Sequence, residues 1–128
     1  MKKLLLMVII FTTTTFANNI FLVKHDYNKT LTKAKKLNKP IFLMYSTTTC
    51  PECNYMKQVV FTQKRVKTFL KQNFVTAMLD IKRDKLPKEL KYIGIPTFFI
   101  ISKDGRELGK LIGGMSADKF LNAFKKDK

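Results

Sequence analysis

The feature that most constrains this chain is an apolar segment that leads, through a short loop, to a cysteine pair. Ile41–Tyr45 is an unbroken apolar run, and its length suits a strand buried on both faces by helices. Ser46–Thr49 is polar, and Cys50-Pro51-Glu52-Cys53 follows it directly. Proline is favoured at the first helical position, where its missing N–H costs no hydrogen bond. The segment therefore predicts a buried strand, a loop and a helix that begins at the cysteines.

The rest of the chain alternates between strand-like and helix-like patterns. The predicted strands are Ile20–Val23, Ile41–Tyr45, Phe74–Leu79, Thr97–Ile101 and Glu107–Ile112; the predicted helices are Asn28–Asn38, a helix from Cys50 that continues or breaks near Thr62, a short helix at Leu86–Tyr92 and a closing helix after Ser116. The Asp104-Gly105 pair predicts a tight turn, so the last two strands are expected to be antiparallel. The order β-α-β-α-β-α-β-β-α predicts an α/β fold, with a central mixed β-sheet and helices on both faces.

The two cysteines point to redox chemistry. A structural zinc site needs about four ligands, whereas the chain has two cysteines and one histidine, so no metal is expected. A bridge that closes so short a loop stabilises the fold only slightly. A merely structural bridge stays the alternative.

The predicted helix start assigns different roles to the two thiols. A helix N-terminus carries partial positive charge and unpaired N–H groups, and both stabilise a thiolate. We therefore expect Cys50 to be the exposed nucleophile, with a pKa below the free value of about 8.5. Cys53 lies one turn later on the apolar face, where it can attack a mixed disulfide and release the product.

The first 17 residues have the layout of a secretory signal peptide. A basic start is followed by the apolar run Leu4–Phe11 and by the small-x-small pattern Thr15-Phe16-Ala17. A membrane span needs about 20 apolar residues, so we expect cleavage after Ala17, with residues 18–128 as one exported, periplasmic domain. An uncleaved N-terminal anchor is the alternative.

The formal charge of +16 does not by itself indicate nucleic-acid binding. The basic residues are nearly all lysines spread over every segment, with only three arginines. Nucleic-acid sites favour arginine forks and interleaved aromatic residues. A solvated lysine surface is expected instead, and an acidic partner surface stays open.

From Ile41 onward the chain resembles the thioredoxin superfamily. The matching pieces are the strand at Ile41–Tyr45, the Cys50–Cys53 motif, the segment Tyr92–Thr97 and the hairpin that ends at Gly113-Gly114. The resemblance implies a thioredoxin fold in which Pro96 has a cis peptide bond and faces the cysteines, while Ile95 offers backbone groups to a substrate strand. The segment from Val59 to Val75 is similar to exported thioredoxin-like proteins of the Dsb reductase and SoxW-like kind.

Two positions depart from the pattern of that superfamily. Thr49 stands where tryptophan usually precedes the first cysteine, and Met44 stands where many members carry a buried aspartate that accepts a proton. Proton transfer at Cys53 must then use water, Glu52 or another group. Thr49, Pro51 and Glu52 form the expected active-site loop, although Glu52 also suits the first turn of any helix.

These features predict a monomeric, exported thiol–disulfide oxidoreductase that needs no cofactor. Its substrate would be a disulfide-bonded protein, and its electrons would come from another thiol protein such as a membrane reductase domain. Reduction is the expected direction, because Leu79–Tyr92 has no room for the large helical insertion of Dsb-type oxidants. The alternatives are a redox-inert adaptor that binds a partner strand and a basic surface-binding protein.

Overall fold

The computed structural model describes residues 19–125. The predicted signal peptide, residues 1–17, lies outside the described residues. The strands are β1 (Val23–Lys24), β2 (Ile41–Ser46), β3 (Val75–Asp80), β4 (Thr97–Ile101) and β5 (Glu107–Ile112); the helices are α1 (Tyr27–Leu37), α2 (Pro51–Tyr55), which continues as a π-helical turn (Met56–Val60), α3 (Lys64–Asn73) and α4 (Ala117–Ala123).

The strands form one mixed sheet in the order β1-β3-β2-β4-β5. β1 and β2 both run parallel to β3, β4 is antiparallel to β2, and β5 is antiparallel to β4. Gly105, with φ +91°, occupies the turn between the last two strands, a conformation that glycine adopts without steric cost. The predicted fold class is confirmed.

Strand β2 lies at the centre of the sheet and is buried on both faces, as its apolar run predicts. Phe42 and Met44 face one core, which α2, α3 and α4 cover. Ile41, Leu43 and Tyr45 face the other core, which α1 covers. Because successive residues of a strand point to opposite faces, a continuous apolar strand serves both cores. The loop after β2 thus places the cysteine pair at the carboxyl end of the central strand.

Two predicted elements differ from the structure. The first strand is Val23–Lys24 rather than Ile20–Val23. Ile20 and Phe21 are buried in the core, but they come before the residues that pair with β3. The segment Leu86–Tyr92 contains no helix. Pro87 disfavours helical geometry at the residue before it, and Gly94 follows too soon for a second turn. Leu86, Leu90 and Tyr92 pack on the α1 side of the sheet as an irregular segment instead.

Candidate active site

The cysteine pair lies at the start of α2. Cys50 is the N-cap residue, and its Sγ accepts a hydrogen bond from the Cys53 N–H at 3.1 Å. Pro51 takes the first helical position, as predicted. A sulfur at the N-cap therefore does what a serine or aspartate oxygen does elsewhere, since it satisfies one of the unpaired N–H groups of the first turn.

The two cysteines are joined by a disulfide and differ in exposure. Their Cα atoms are 5.2 Å apart. Cys50 is half-buried, whereas Cys53 is fully buried. Cys50 is therefore the more accessible of the two cysteines, with Cys53 behind it.

The loop residues predicted around the pair lie on the surface. Thr49, Pro51 and Glu52 are all exposed, and Glu52 lies in the first turn of α2. Asn54 supports the loop from within the helix, because its side-chain amide donates to the Thr48 carbonyl oxygen at 3.1 Å. The loop thus leaves the Cys50 side of the helix start open to a partner.

The floor beneath Cys53 is apolar. Met44 is fully buried and pairs in register with Met78 of β3. Cys53, Met44 and Phe98 belong to one core cluster. The position where many thioredoxins carry an acid therefore holds a thioether, which accepts no proton.

The Ile95–Pro96 peptide bond is cis, as the resemblance implies. Pro96 is buried, and its carbonyl oxygen accepts a hydrogen bond from the Gly113 N–H at 2.8 Å. The Thr97 hydroxyl donates to the Gly94 carbonyl oxygen at 2.7 Å. Ile95 packs against the core cluster that contains Cys53 and that Cys50 also contacts. The loop before β4 is thus fixed on both sides of the proline.

A groove of about 380 Å³ runs beside the helix start, between α2 and the segment that precedes α4. A Cβ placed on Gly114 would lie 3.2 Å from the Glu52 Cβ, so the backbone passes very close to α2 here. The Met115 N–H donates to the Met56 Sδ at 3.3 Å. From the sequence, Gly113-Gly114 was predicted only as the end of a strand. Its contact with α2, about 60 residues earlier in the chain, has no local sequence signal. The groove is lined by Pro51, Glu52, Tyr55, Gly114, Met115 and Ser116.

One charged residue of the helix that carries the pair was missed by the sequence reasoning. Lys57 is only half-buried, yet burial lowers its pKa, while Asp80 opposes that shift and Lys24 adds to it. Its position four residues after Cys53 was the available signal, since residues four apart share a helix face.

No group of three or more His, Cys, Asp or Glu side chains that could hold a metal ion occurs within residues 19–125. Within the same range, no helix is long and apolar enough to cross a membrane.

Comparison with known proteins identifies the family. The thioredoxin-like domain family matches residues 27–128. Spermatogenesis-associated protein 20 from Mus musculus is 35% identical over 69 residues, which are 47% of this chain and 9% of that protein. The chain thus spans less than a tenth of that relative's length.

Three solved structures share the fold. A thioredoxin from Thermus thermophilus has a TM-score of 0.67 at 24% identity, over 82% of this chain and 85% of that one. The DsbD C-terminal domain from Neisseria meningitidis, in the oxidised form, has a TM-score of 0.65 at 23% identity, over 79% and 91%. A candidate disulphide-isomerase from Bacteroides thetaiotaomicron has a TM-score of 0.71 at 25% identity, over 80% and 87%.

The matched residues include strands β2 to β5 and the helix that carries the cysteines, and the neighbouring structures superimpose over most of the chain. A Cys-x-x-Cys pair at the N-cap of α2 completes this arrangement. The chain belongs to the thioredoxin-like domain family, and it combines the thioredoxin fold with a Cys-x-x-Cys pair at the start of α2.

Proposed function

We propose that this protein is an exported reductase of protein disulfides. The observation that carries the proposal is the unequal burial of the pair: Cys50 is half-buried at a helix N-cap and Cys53 is fully buried behind it. A thiol–disulfide exchange needs one accessible thiolate and one shielded thiol in reach of it.

Cys50 attacks a sulfur of the substrate disulfide in this proposal. The N–H groups at the start of α2 and the positive end of its dipole stabilise the attacking thiolate. The result is a mixed disulfide between Cys50 and the substrate. Cys53 then attacks Cys50, so that the Cys50–Cys53 bond forms and the substrate leaves reduced.

The substrate strand lies against the loop that contains Ile95 and Pro96. Ile95 supplies backbone groups, and Thr49, Pro51 and Glu52 border the approach to Cys50. The groove between Glu52 and Gly114 continues this surface. The cis bond and the hydrogen bonds on either side of Pro96 support this placement, because they hold the loop in one conformation.

Reduction is the proposed direction. The absence of any helix in the described segment 81–96 supports it, since the family's strong oxidants carry a helical insertion in the fold. The electron donor would be another thiol protein, and the likeness to the DsbD C-terminal domain supports a donor domain of a membrane reductase. We further propose a monomer that uses no cofactor and is delivered to the periplasm by the 1–17 segment.

The test compares two variants on a disulfide-bonded protein substrate such as insulin. Cys53→Ala should accumulate a covalent substrate complex that dithiothreitol releases, whereas Cys50→Ala should not. Wild-type protein should turn the substrate over. Equal trapping by both variants would refute the assigned roles. A wild-type protein that binds the substrate without reducing it would favour the adaptor function instead.

A further inference from the structure

Lys57 lies on the same side of the α2 segment as Cys53. It follows Cys53 by four residues, and the helix is continuous between them, because the Met56 N–H donates to the Glu52 and Cys53 carbonyl oxygens. Residues four apart share a helix face, and helical side chains lean toward the N-terminus. Lys57 therefore leaves the helix on the side that carries Cys53, although it is the second residue of the π-helical turn.

The sheet below Lys57 carries a charge of opposite sign. Asp80 ends β3, is buried, and pairs in register with Ser46 of β2. One pleat earlier, Met78 pairs with Met44, and alternate residues of a strand share a face. Asp80 therefore lies on the same face as Met78, toward α2. Met78, Lys57 and Phe61 line one cavity of about 450 Å³.

The charged groups around this cavity are few among the described residues. Lys24 of β1 also lines it, whereas Asp80 does not. Around Asp80, Arg83 places its Nε 4.0 Å from a carboxylate oxygen, and an Asp84 carboxylate oxygen accepts a hydrogen bond from the Asp80 N–H at 2.6 Å. Glu52 is on the exposed side of α2. The neighbouring positions of β2 and β4 on this face are Met44, Ser46 and Phe98, none of which is charged near neutral pH.

A buried thiol such as Cys53 is hard to ionise. Apolar surroundings disfavour the thiolate, whereas a nearby cation favours it. The family's usual proton acceptor is absent here, because Met44 takes its place. Lys57 is the cation that the helix places on the Cys53 side.

We propose that Lys57 is a positioning residue that stabilises the Cys53 thiolate during resolution of the mixed disulfide, with the buried Asp80 carboxylate on the same side of the sheet. The inference rests on the proposed function. Cys53 gives its proton to water, and its thiolate attacks the Cys50 sulfur. The Cys50–substrate bond breaks, the Cys50–Cys53 bond forms, and the substrate sulfur leaves with the bonding pair and takes a proton from water. The Lys57 ammonium keeps its proton throughout.

The test titrates Cys53 directly in a Cys50→Ser background, by the ultraviolet absorbance of the thiolate. Lys57→Met should raise the measured pKa of Cys53 by about one unit. Lys57→Arg keeps the charge and should restore the original titration, which a purely structural role would not require. Lys64→Met, at an exposed lysine at the start of α3, is the matched control and should change nothing.

A second readout follows the resolution step in protein with both cysteines. The reduced protein is mixed with an aromatic disulfide, whose second thiol is released only when Cys53 attacks. In Lys57→Met the second release should slow about tenfold near neutral pH, and its pH profile should move upward by the same shift. An unchanged Cys53 titration, or equal effects of Lys57→Met and Lys57→Arg, would overturn the proposal. Because the titration needs no protein substrate, it tests the role of Lys57 even if the proposed reductase function fails.

Discussion

Replacement of Phe42 should be among the most damaging single changes to this fold. Its ring is fully buried and lies 5.5–6.0 Å from four other phenylalanine rings, measured between centroids. The strand on which it lies is held on both sides, opposite Thr76 of β3 and Ile100 of β4, so the backbone cannot move in to fill a cavity. Phe42→Ala should therefore lower the free energy of unfolding by about 4 kcal/mol. In a domain of this size that corresponds to a melting temperature lower by roughly 16 °C.

Urea and thermal denaturation of the oxidised protein measure this loss. Leu108→Ala is the control, because Leu108 is 55% exposed on β5, and it should stay within about 0.5 kcal/mol of the wild type. Phe42→Leu keeps most of the volume and should lose less than half as much as Phe42→Ala. A Phe42→Ala variant whose free energy of unfolding stays within about 1 kcal/mol of the wild-type value would refute the close packing of the central strand.

Two further predictions concern polar groups. The Tyr45 hydroxyl is buried without a hydrogen-bond partner among residues 19–125, and burial raises its pKa. The protonated hydroxyl therefore makes its full contribution to folding stability at pH values below the unfolded pKa of about 10, and this contribution is lost as the pH rises further. Tyr45→Phe should retain wild-type stability at pH ~7 and should lose less stability at alkaline pH, as measured by urea denaturation over a pH series. Tyr55→Phe, at an exposed side chain, is the control. A large loss of stability in Tyr45→Phe at neutral pH would show that the hydroxyl makes a hydrogen bond. Asp26 caps α1 by accepting from the Lys29 N–H at 2.9 Å, so Asp26→Ala should cost about 1 kcal/mol by urea denaturation and Asp26→Asn much less; equal losses would contradict the cap.

The sequence predicted the elements whose pattern is local and strong. The apolar run at Ile41–Tyr45 and the Asp-Gly turn near Gly105 each carry their own signal, and both are found where predicted. The first strand was predicted too early, at Ile20–Val23, because an apolar segment can pack in the core without pairing in the sheet. Leu86–Tyr92 has helical spacing of its apolar residues, but Pro87 and the short length prevent a helix.

The site was predictable where it depends on one segment. Cys50 at the N-cap, Pro51 at the first helical position and the cis bond at Pro96 could all be expected from sequence or resemblance. The approach of Gly114 to Glu52 and the position of Asp80 on the α2 face could not, because tertiary packing between distant segments sets both. The same holds for Lys57, whose surroundings come from β1 and β3.

The equilibrium reduction potential of the Cys50–Cys53 pair, measured in glutathione buffers of known ratio, tests the central claim most directly. A reductase of this family should equilibrate fully with glutathione at a potential near that of glutaredoxins, about −200 to −230 mV. The Glu52 charge cannot move that value far, since a unit charge at ~6 Å in water contributes only about 0.7 kcal/mol, or roughly 15 mV. A potential near −120 mV, typical of strong disulfide oxidants, would contradict the proposed direction, and a pair that does not equilibrate with glutathione at all would contradict the redox function itself.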